Sequence, residues 1–519
     1  IEIKMNSDTI VDSVVADEAG KLPDNSITEV LQRVSGVTLS RFSADQGNPS
    51  FQIEGTGISV RGLPYNSSTL NGRQVFSASG ASAIQWQEVT PELGAGVDVY
   101  KAARADLIEG GTSSIDLRSR LPFDYKKPTI DMSAGFSYGD QIKKGSPNIS
   151  GLATQRFDTP YGEVGVLVDL AYSKYFEQQS NARISNYLLE NDPNVASGQA
   201  LVPTGYNWSQ DTHGRDRYGV YTALQWKPNP NFTATSTLFY SQYHTNDHSF
   251  GGSWGNNPSN TVENIPQNAT FDANGAMTKG SLYVGASGVN TPIFGWGGNN
   301  FLYQYLPRGD PSYSWIWQYG WSPDYGHDAT NTLLTADCRT PYGAITSSTP
   351  TVNWGKWASP GMFFCQPAQN SSGSIGLNLG ATTSVGRSDS STLDFSNSFV
   401  WTPNTQTRVR GAFQYVRSLA KSQSMYAGIT QGDPNLSSAS FDVTHDIPRL
   451  GGFNAVALAN TDTAYFNSFS YNGNDNKGSM AAANIDVDYR FEGDHFFKSV
   501  SFGARVARRE ERDNFIGTY

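Results

Sequence analysis

Tryptophan is the residue whose placement in this 519-residue chain most calls for a chemical explanation. Seven of the 11 tryptophans, Trp254, Trp296, Trp315, Trp317, Trp321, Trp354 and Trp357, fall within residues 246–388. An indole offers a flat apolar face with one polar tip, which suits the C–H faces of a sugar ring. Asn299, Asn300 and Asp310 would supply acceptors for its hydroxyls. The plainer reading is that the rings pack a long segment without regular structure. Acidic and basic residues nearly balance there, whereas a strongly anionic iron chelate would call for more Arg and Lys.

Other chemistry is sparse. Cys338 and Cys365 would pair in an oxidising compartment and close a loop of about 27 residues, worth roughly 3 kcal/mol on a chain-entropy argument. Neither has His or Cys neighbours at zinc-ligand spacing. His244 and His248 are four residues apart but have no glutamate between them, and Asn472-Gly-Asn-Asp-Asn476 lacks the closing carboxylate of a calcium loop. Paired carboxylates, a nucleophile elbow, a phosphate-cradling glycine loop and a zincin motif do not occur. No enzyme, cofactor or metal site is therefore expected, and a net charge of −10 argues against nucleic acid as a partner.

The elements that must position these residues are strands. Charged residues make up only 16% and aromatics 12%, with 52 Gly and 26 Tyr, a composition of strand and turn formers. No run of about 18 apolar residues offers a transmembrane helix. From about residue 128, period-two alternation predicts nine long strands near 128–139, 148–157, 162–174, 215–227, 231–245, 389–402, 406–420, 478–491 and 496–510. Ile130, Met132, Ala134, Phe136 and Tyr138 share one face, as do Val164, Val166, Val168, Leu170 and Tyr172. One apolar and one polar face over 9–11 residues is what lipid outside and water inside require.

Connections alternate in length. Asp158–Gly162, Pro228–Asn231, Pro403–Gln406 and Glu492–His495 are turn-like, whereas about 175–214, 246–388 and 421–477 are long. Outer-membrane barrels show this asymmetry, with the long side extracellular. Phe157, Trp226, Trp401 and Phe491 sit beside the short turns, as an interfacial girdle would.

Residues 1–122 differ. Ser26-Ile-Thr-Glu29 predicts a capping box, followed by an apolar helical stripe of Ile27, Val30, Leu31 and Val34 and a left-handed stop at Gly36. Short strand signals follow at 37–39, 51–53, 58–60, 97–99 and 115–117. Between them, Gly62-Leu-Pro-Tyr-Asn66 makes a tight excursion and Asn71-Gly72 a hairpin turn. Arg61 and Arg73 fall on otherwise apolar strands, and buried arginines demand partners. Together with Arg118 and Arg120 they are expected to anchor this domain to carboxylates of a surrounding wall, such as Asp169 or Asp394.

The order of Gly20-Lys-Leu-Pro-Asp24, Glu29-Val-Leu-Gln-Arg33 with Gly36-Val37, Val60-Arg-Gly62, Leu70-Asn-Gly-Arg73, Val97-Asp-Val-Tyr-Lys101, Glu109-Gly-Gly-Thr112 and Ser114-Ile-Asp-Leu117 resembles the plug domain of TonB-dependent outer-membrane receptors. The nearest likeness is to the proteobacterial subgroup linked to carbohydrate uptake. The resemblance implies a mainly β protein: an N-terminal α/β plug (1–122) in the lumen of a large antiparallel transmembrane β-barrel (123–519). A complete barrel of the family has 22 strands, so a second chain or fragment is expected to supply the C-terminal half. It further implies outer-membrane localisation, contact with membrane lipid, and a plug apex that touches ligand, here Tyr65, Asn66, Gln85 and Trp86. TonB, with its inner-membrane energising complex, would pull on an N-terminal box. Asp8-Thr-Ile-Val11 is read as the plug's first strand, which puts that box upstream. The expected function is TonB-dependent import of a saccharide or glycoside. An iron–siderophore or haem receptor and a non-transporting surface binding or assembly subunit are the other readings.

Overall fold

The computed structural model describes residues 10–15, 26–43, 50–64, 66–79, 83–102, 113–185, 187–191, 199–203, 205–255, 262–286, 379–431, 436, 438–459, 461, 464–493 and 496–518. The first part holds β1 (Val11–Val15), α1 (Ile27–Gln32), β2 (Val37–Ser43), β3 (Ser50–Val60), β4 (Asn66–Leu70), β5 (Arg73–Gln74), β6 (Gly94–Tyr100) and β7 (Ser113–Ser119). β2 pairs with β3, and the other five form a sheet in the order β1-β6-β7-β4-β5, parallel only between β4 and β7. Ile27, Val30, Leu31 and Val34 are all buried, as their helical spacing requires.

Two local expectations need correction. The capping box does not form, because Ser26 is buried with its hydroxyl 2.5 Å from that of Thr28, while Glu29 turns towards Arg41 at 3.9 Å. The Ser26 carbonyl instead accepts from the amides of Glu29 and Val30. Arg61 is not on a buried strand face. It is exposed at the head of the Val60–Leu63 turn with φ 54°. The hairpin at Asn71 and Gly72 forms as expected, with φ 52° and 75°. Asp116 secures it by accepting from the Thr69 hydroxyl at 2.6 Å and the Gly72 amide at 2.7 Å.

The rest of the chain contributes β8 (Thr129–Gly139), β9 (Lys144–Thr159), β10 (Gly162–Ile184), β11 (Tyr187–Asn191), β12 (Gln199–Pro203), β13 (Gly205–Asn229), β14 (Phe232–Gly255), β15 (Val262–Phe271) and β16 (Met277–Ala286). They are followed by β17 (Leu379–Trp401), β18 (Thr407–Gln431), β19 (Ser438–Asp442), β20 (Arg449–Gly451), α2 (Ala455–Leu458), β21 (Ala464–Arg490), β22 (Ser499–Arg512) and β23 (Phe515–Thr518). β8, β9, β10, β13, β14, β17, β18, β21 and β22 pair antiparallel in that order, and β23 adds to β21, making a ten-stranded wall. Within the described residues, β8 and β22 end the ladder. No helix among them is long and apolar enough to cross a membrane.

All nine expected wall strands are present, but several run much further, up to 27 residues in β21. Segments expected as loops at 175–214, 246–388 and 421–477 begin and end as continuations of the ladder. Hydropathy marks a strand only where one face meets lipid. Above that level the same hydrogen bonds join Ser, Thr and Asn-rich stretches that carry no apolar signal. Further strands inside these segments build a separate four-stranded sheet, β15-β16-β19-β20, and the hairpin β11-β12.

Alternation is clear along β13, where Tyr218, Leu224 and Trp226 are exposed outward and Arg217, Tyr221, Ala223 and Gln225 are buried inward. Beside the short turns, Phe157, Trp226, Trp401 and Phe491 all show exposed rings. The Trp226 indole N–H donates to the Tyr161 carbonyl at 2.9 Å. On the inside, one apolar core joins the plug to the wall. Phe76, Trp86, Val89 and Leu93 pack with Leu167, Tyr221, Phe239, Val416 and Met480. The wall makes room with two glycines: a Cβ on Gly219 would lie 2.5 Å from Leu93, and one on Gly478 would lie 2.5 Å from Phe76.

Gly219→Leu should therefore unseat the Leu93 turn at a cost of about 1–3 kcal/mol. The expected readout is a lower Tm and faster proteolysis within residues 60–120, with strand content by circular dichroism retained.

Candidate functional site

The seam between plug and wall is polar, and nearly every wall strand contributes to it. Arg120, just past β7, donates from Nη1 to Asp169 Oδ2 on β10 at 3.2 Å and to the Glu92 carbonyl at 2.7 Å. Arg217 on β13 donates from Nε to the Gln87 carbonyl at 2.6 Å, and Ser241 on β14 donates to the Glu88 carbonyl at 2.7 Å. Ser119 donates to the Tyr221 hydroxyl at 2.6 Å, and the Phe123 amide donates to Gln225 at 2.8 Å. On β18, Ser418 accepts from the Ala78 amide at 2.8 Å, while Gln414 reaches both the Gln74 carbonyl at 2.9 Å and Asp394. Arg505 on β22 donates to Gln74 at 3.2 Å, and Arg509 stacks 4.0 Å from the Phe76 ring centroid. A single small domain thus touches wall strands from β10 through β22.

The four arginines expected as anchors separate into different roles. Arg120 meets Asp169 across the seam. Arg118 pairs with Asp98 inside the plug at 2.8 Å. Arg73, half-buried, is close enough for its charge to be felt at both Asp116 and Asp394. Arg61 faces solvent and takes no part.

Of the expected apex residues, Tyr65 lies outside the described residues. Asn66 is half-buried and already bonded, donating to the Ile58 carbonyl at 2.7 Å and accepting from Ser113. Gln85 is half-buried, and Trp86 turns into the core with 4% exposure. Trp86 begins a short 3-10 turn over residues 86–88, which points its ring inward. Trp254 is likewise no open platform. At 1% exposure it packs with Tyr206, Met277, Leu379 and Phe441 in a second core above the plug. Trp296, Trp315, Trp317, Trp321, Trp354, Trp357, Cys338 and Cys365 lie outside the described residues.

Three plug carboxyls are buried at or near the seam. Burial pushes Glu88 up to about 7, against the opposing effect of the Ser77 hydroxyl at 3.0 Å and the charge of Arg217. Burial also raises Asp116 to about 6 and raises Glu92.

Above the plug the inward face of the wall changes character, a feature that apolar patterning could not reveal. Asp211 accepts from Asn181 at 3.2 Å, Ser209 at 3.1 Å and Ser249 at 2.5 Å. His213 faces Asp247 at 2.8 Å, and Arg215 faces Glu177 at 3.6 Å. Across β17, β18 and β21 the inward positions at the same levels are uncharged. In register they run Ser388, Ser422, Asn474; then Gly386, Ser424, Asn472; then Ser384, Tyr426, Ser470. Hydroxyl and amide groups thus cover half of this surface, and each can both give and take hydrogen bonds.

A small domain seated by polar contacts against a broad antiparallel wall is the architecture of a plug and its barrel wall. Residues 3–114 match the TonB-dependent receptor plug domain. No match is found among curated proteins. Solved structures with some likeness include the ferric citrate transporter FecA in unliganded form (9% identity, TM-score 0.27, 99% of this chain and 75% of that one). Others are the outer-membrane transporter YddB from Escherichia coli (10%, 0.28, 92% and 69%) and the siderophore receptor PiuA from Acinetobacter baumannii (10%, 0.26, 96% and 90%). The family-model match covers the plug alone.

Removing Arg120 leaves Asp169, 2% exposed at its side chain, without its cation. Arg120→Met should cost about 3 kcal/mol, and Arg120→Met with Asp169→Asn should recover part of it, measured as Tm in a double-mutant cycle. Because the folded state raises the Glu88 pKa, its contribution is present below the unfolded value of 4.5 and is lost as pH rises through about 7. Stability should fall by about 3 kcal/mol over that window. Glu88→Gln should flatten the dependence of Tm on pH between 5 and 8.

Proposed function

We propose that the chain forms the plug and part of the wall of a transporter. In this reading TonB releases the plug so that an uncharged, hydroxyl-rich ligand, a saccharide or glycoside, passes inward across the outer membrane. The observation that carries the ligand class is the inner wall above the plug, where Ser384, Ser388, Ser422, Ser424, Tyr426 and Asn472 line three adjacent strands without a charge. Neutral donors and acceptors in rows about 5 Å apart suit a polyhydroxylated ligand better than a multiply charged one. The long-connection side is then extracellular. Residues 246–388, with Trp296, Trp315, Trp317, Trp321, Trp354 and Trp357, would cap the space and stack on sugar faces. Tyr65, Asn66 and Gln85 would form its floor. Arg120, with Arg73 in support, would hold the plug seated until TonB acts.

The second reading is a ferric chelate, favoured by the charged side of the same space, where Arg215 and His213 line β13 beside Glu177 and Asp247. A surface subunit that binds without transporting is the third.

The test is uptake of labelled neutral oligosaccharides and of ferric chelates by cells carrying the receptor, with and without TonB. Expected is TonB-dependent oligosaccharide uptake, reduced about tenfold by Ser424→Trp, which would fill the inner face. TonB-dependent uptake of only the chelates would establish the second reading. Ligand binding with no uptake in either background would establish the third.

A further inference from the structure

The face of the wall that turns away from the plug carries a second apolar zone, which the transport reading leaves unused. The apolar band that rises from the short turns gives way to two polar rows in register across β14, β17, β18 and β21. They run His244, Asp389, Lys421, Asp475, then Asn246, Arg387, Gln423, Gly473. Above them apolar side chains return. Val385 on β17 lies opposite Met425 on β18, Ala427 opposite Phe469 on β21, and Ile429 opposite Phe466. Phe250 on β14 borders this patch, and its six large side chains are all 39–65% exposed.

Higher still, the chain covers the same face itself. Tyr206, Trp254, Leu379 and Gln431 make one register row, on outward positions of β13, β14, β17 and β18. All four are buried, the first three among Met277, Ala439 and Phe441 of the small sheet. Tyr206 donates to the Pro448 carbonyl at 2.9 Å, and Gln431 to the Leu458 carbonyl at 3.3 Å. The sheet β15-β16-β19-β20 is thus a collar on the outside of the wall, and the bare patch continues the surface it buries. Six half-bare side chains of about 200 Å² each leave roughly 600 Å² uncovered, the top of the range for the largest patch on a monomer. Polar rows part the patch from the lower band, so protein rather than lipid must cover it.

A second copy of the chain fits at three levels. A two-fold axis along the membrane normal, between β18 and β21, turns β18 of each copy towards β21 of the other. At the lower level, the bulky Phe413 and Tyr415 lie on β18, and the small Ala483 and Ala481 lie on β21. At the polar level β18 carries Lys421 and β21 carries Asp475. Lys421 stands between Asp389 and Asp475 in its own wall, so this rim carries both signs and suits a protein surface of like pattern. At the upper level Met425 and Ile429 meet Phe469 and Phe466. Two such patches together bury about 1,200 Å², the lower bound of a specific interface.

We propose that two copies of the receptor pair side by side through the outward faces of β18 and β21, with Met425, Ile429, Phe466 and Phe469 at the centre and Lys421 of each copy facing Asp475 of the other. This rests on the membrane-spanning reading of the wall. It leaves the ligand space of each copy open, because the contact lies on the opposite face of the strands.

The test uses the full-length receptor in nanodiscs large enough for two copies, with the dimer fraction read by native mass spectrometry. The parent should be dimeric. Phe466→Ser with Phe469→Ser should weaken pairing about 100-fold, from four aromatic rings no longer buried. Tyr138→Ser, on β8 at the far end of the ladder, should change nothing. Lys421→Asp alone and Asp475→Lys alone should each weaken pairing at least tenfold by setting like charges together. Mixing these two single variants should restore dimers that hold one copy of each, a rescue that contacts within one chain cannot produce. A parent that stays monomeric, alone or with a different protein held on the patch, would overturn the proposal. So would dimers that the double serine variant leaves within twofold of the parent, or a mixture without rescue. Failure of the parent to enter nanodiscs at all would overturn the membrane reading and this interface with it.

Discussion

Everything in this molecule depends on a strand being a two-sided object. Period two gives each wall strand one face for lipid and one for the interior, so every change along one face can be made without touching the other. The outward side chains of β13 read Trp226, Leu224, Thr222, Val220, Tyr218, Asp216 from the short turn upward, while the inward ones read Gln225, Ala223, Tyr221, Gly219, Arg217. One sequence thus writes a lipid anchor and a docking surface for the plug at once. Backbone hydrogen bonds between strands meet the demand that no amide be left bare in hydrocarbon, which frees the side chains for these two tasks.

The seam follows from the same division. Inward positions meet the plug with single hydrogen bonds spread over many strands, each worth about 1 kcal/mol net, and with a shared apolar core around Tyr221 and Phe239. Contacts of that kind hold a domain in one orientation yet can be given up individually. The Arg120–Asp169 pair is the costlier element, because its carboxylate lies almost wholly away from solvent. Glu88 and Asp116, both buried, make the plug sensitive to proton concentration near neutrality.

How much of this was legible beforehand varied with the physical signal. The nine wall strands, the short turns and the aromatic girdle were legible because lipid imposes alternation and rings at an interface. Asn71-Gly72 was legible because few residues tolerate φ of 52° and 75° in succession. The upper halves of β10, β14 and β18 were not, since Ser, Thr and Asn in water-filled surroundings obey no apolar rhythm. Arg120 against Asp169 followed from the need to neutralise a buried charge, whereas Arg61 was misjudged because the turn at Val60–Leu63 swings it outward. Trp86 and Trp254 show the limit of residue type as a guide, as an indole suits a core and a sugar platform equally well. The uncharged rows of β17, β18 and β21 emerge only when strands distant in the chain are set side by side in register.

The continuation of the ladder above the apolar band has an architectural consequence. A mouth built from long loops would have to order itself around each arriving molecule and lose conformational entropy in doing so. Here β10, β13, β14, β17, β18 and β21 rise together as one hydrogen-bonded face, with 22 residue pairs in register between β10 and β13 alone. The inner face above the plug is therefore a standing surface, its lining set in place by backbone pairing rather than by loops that must first order.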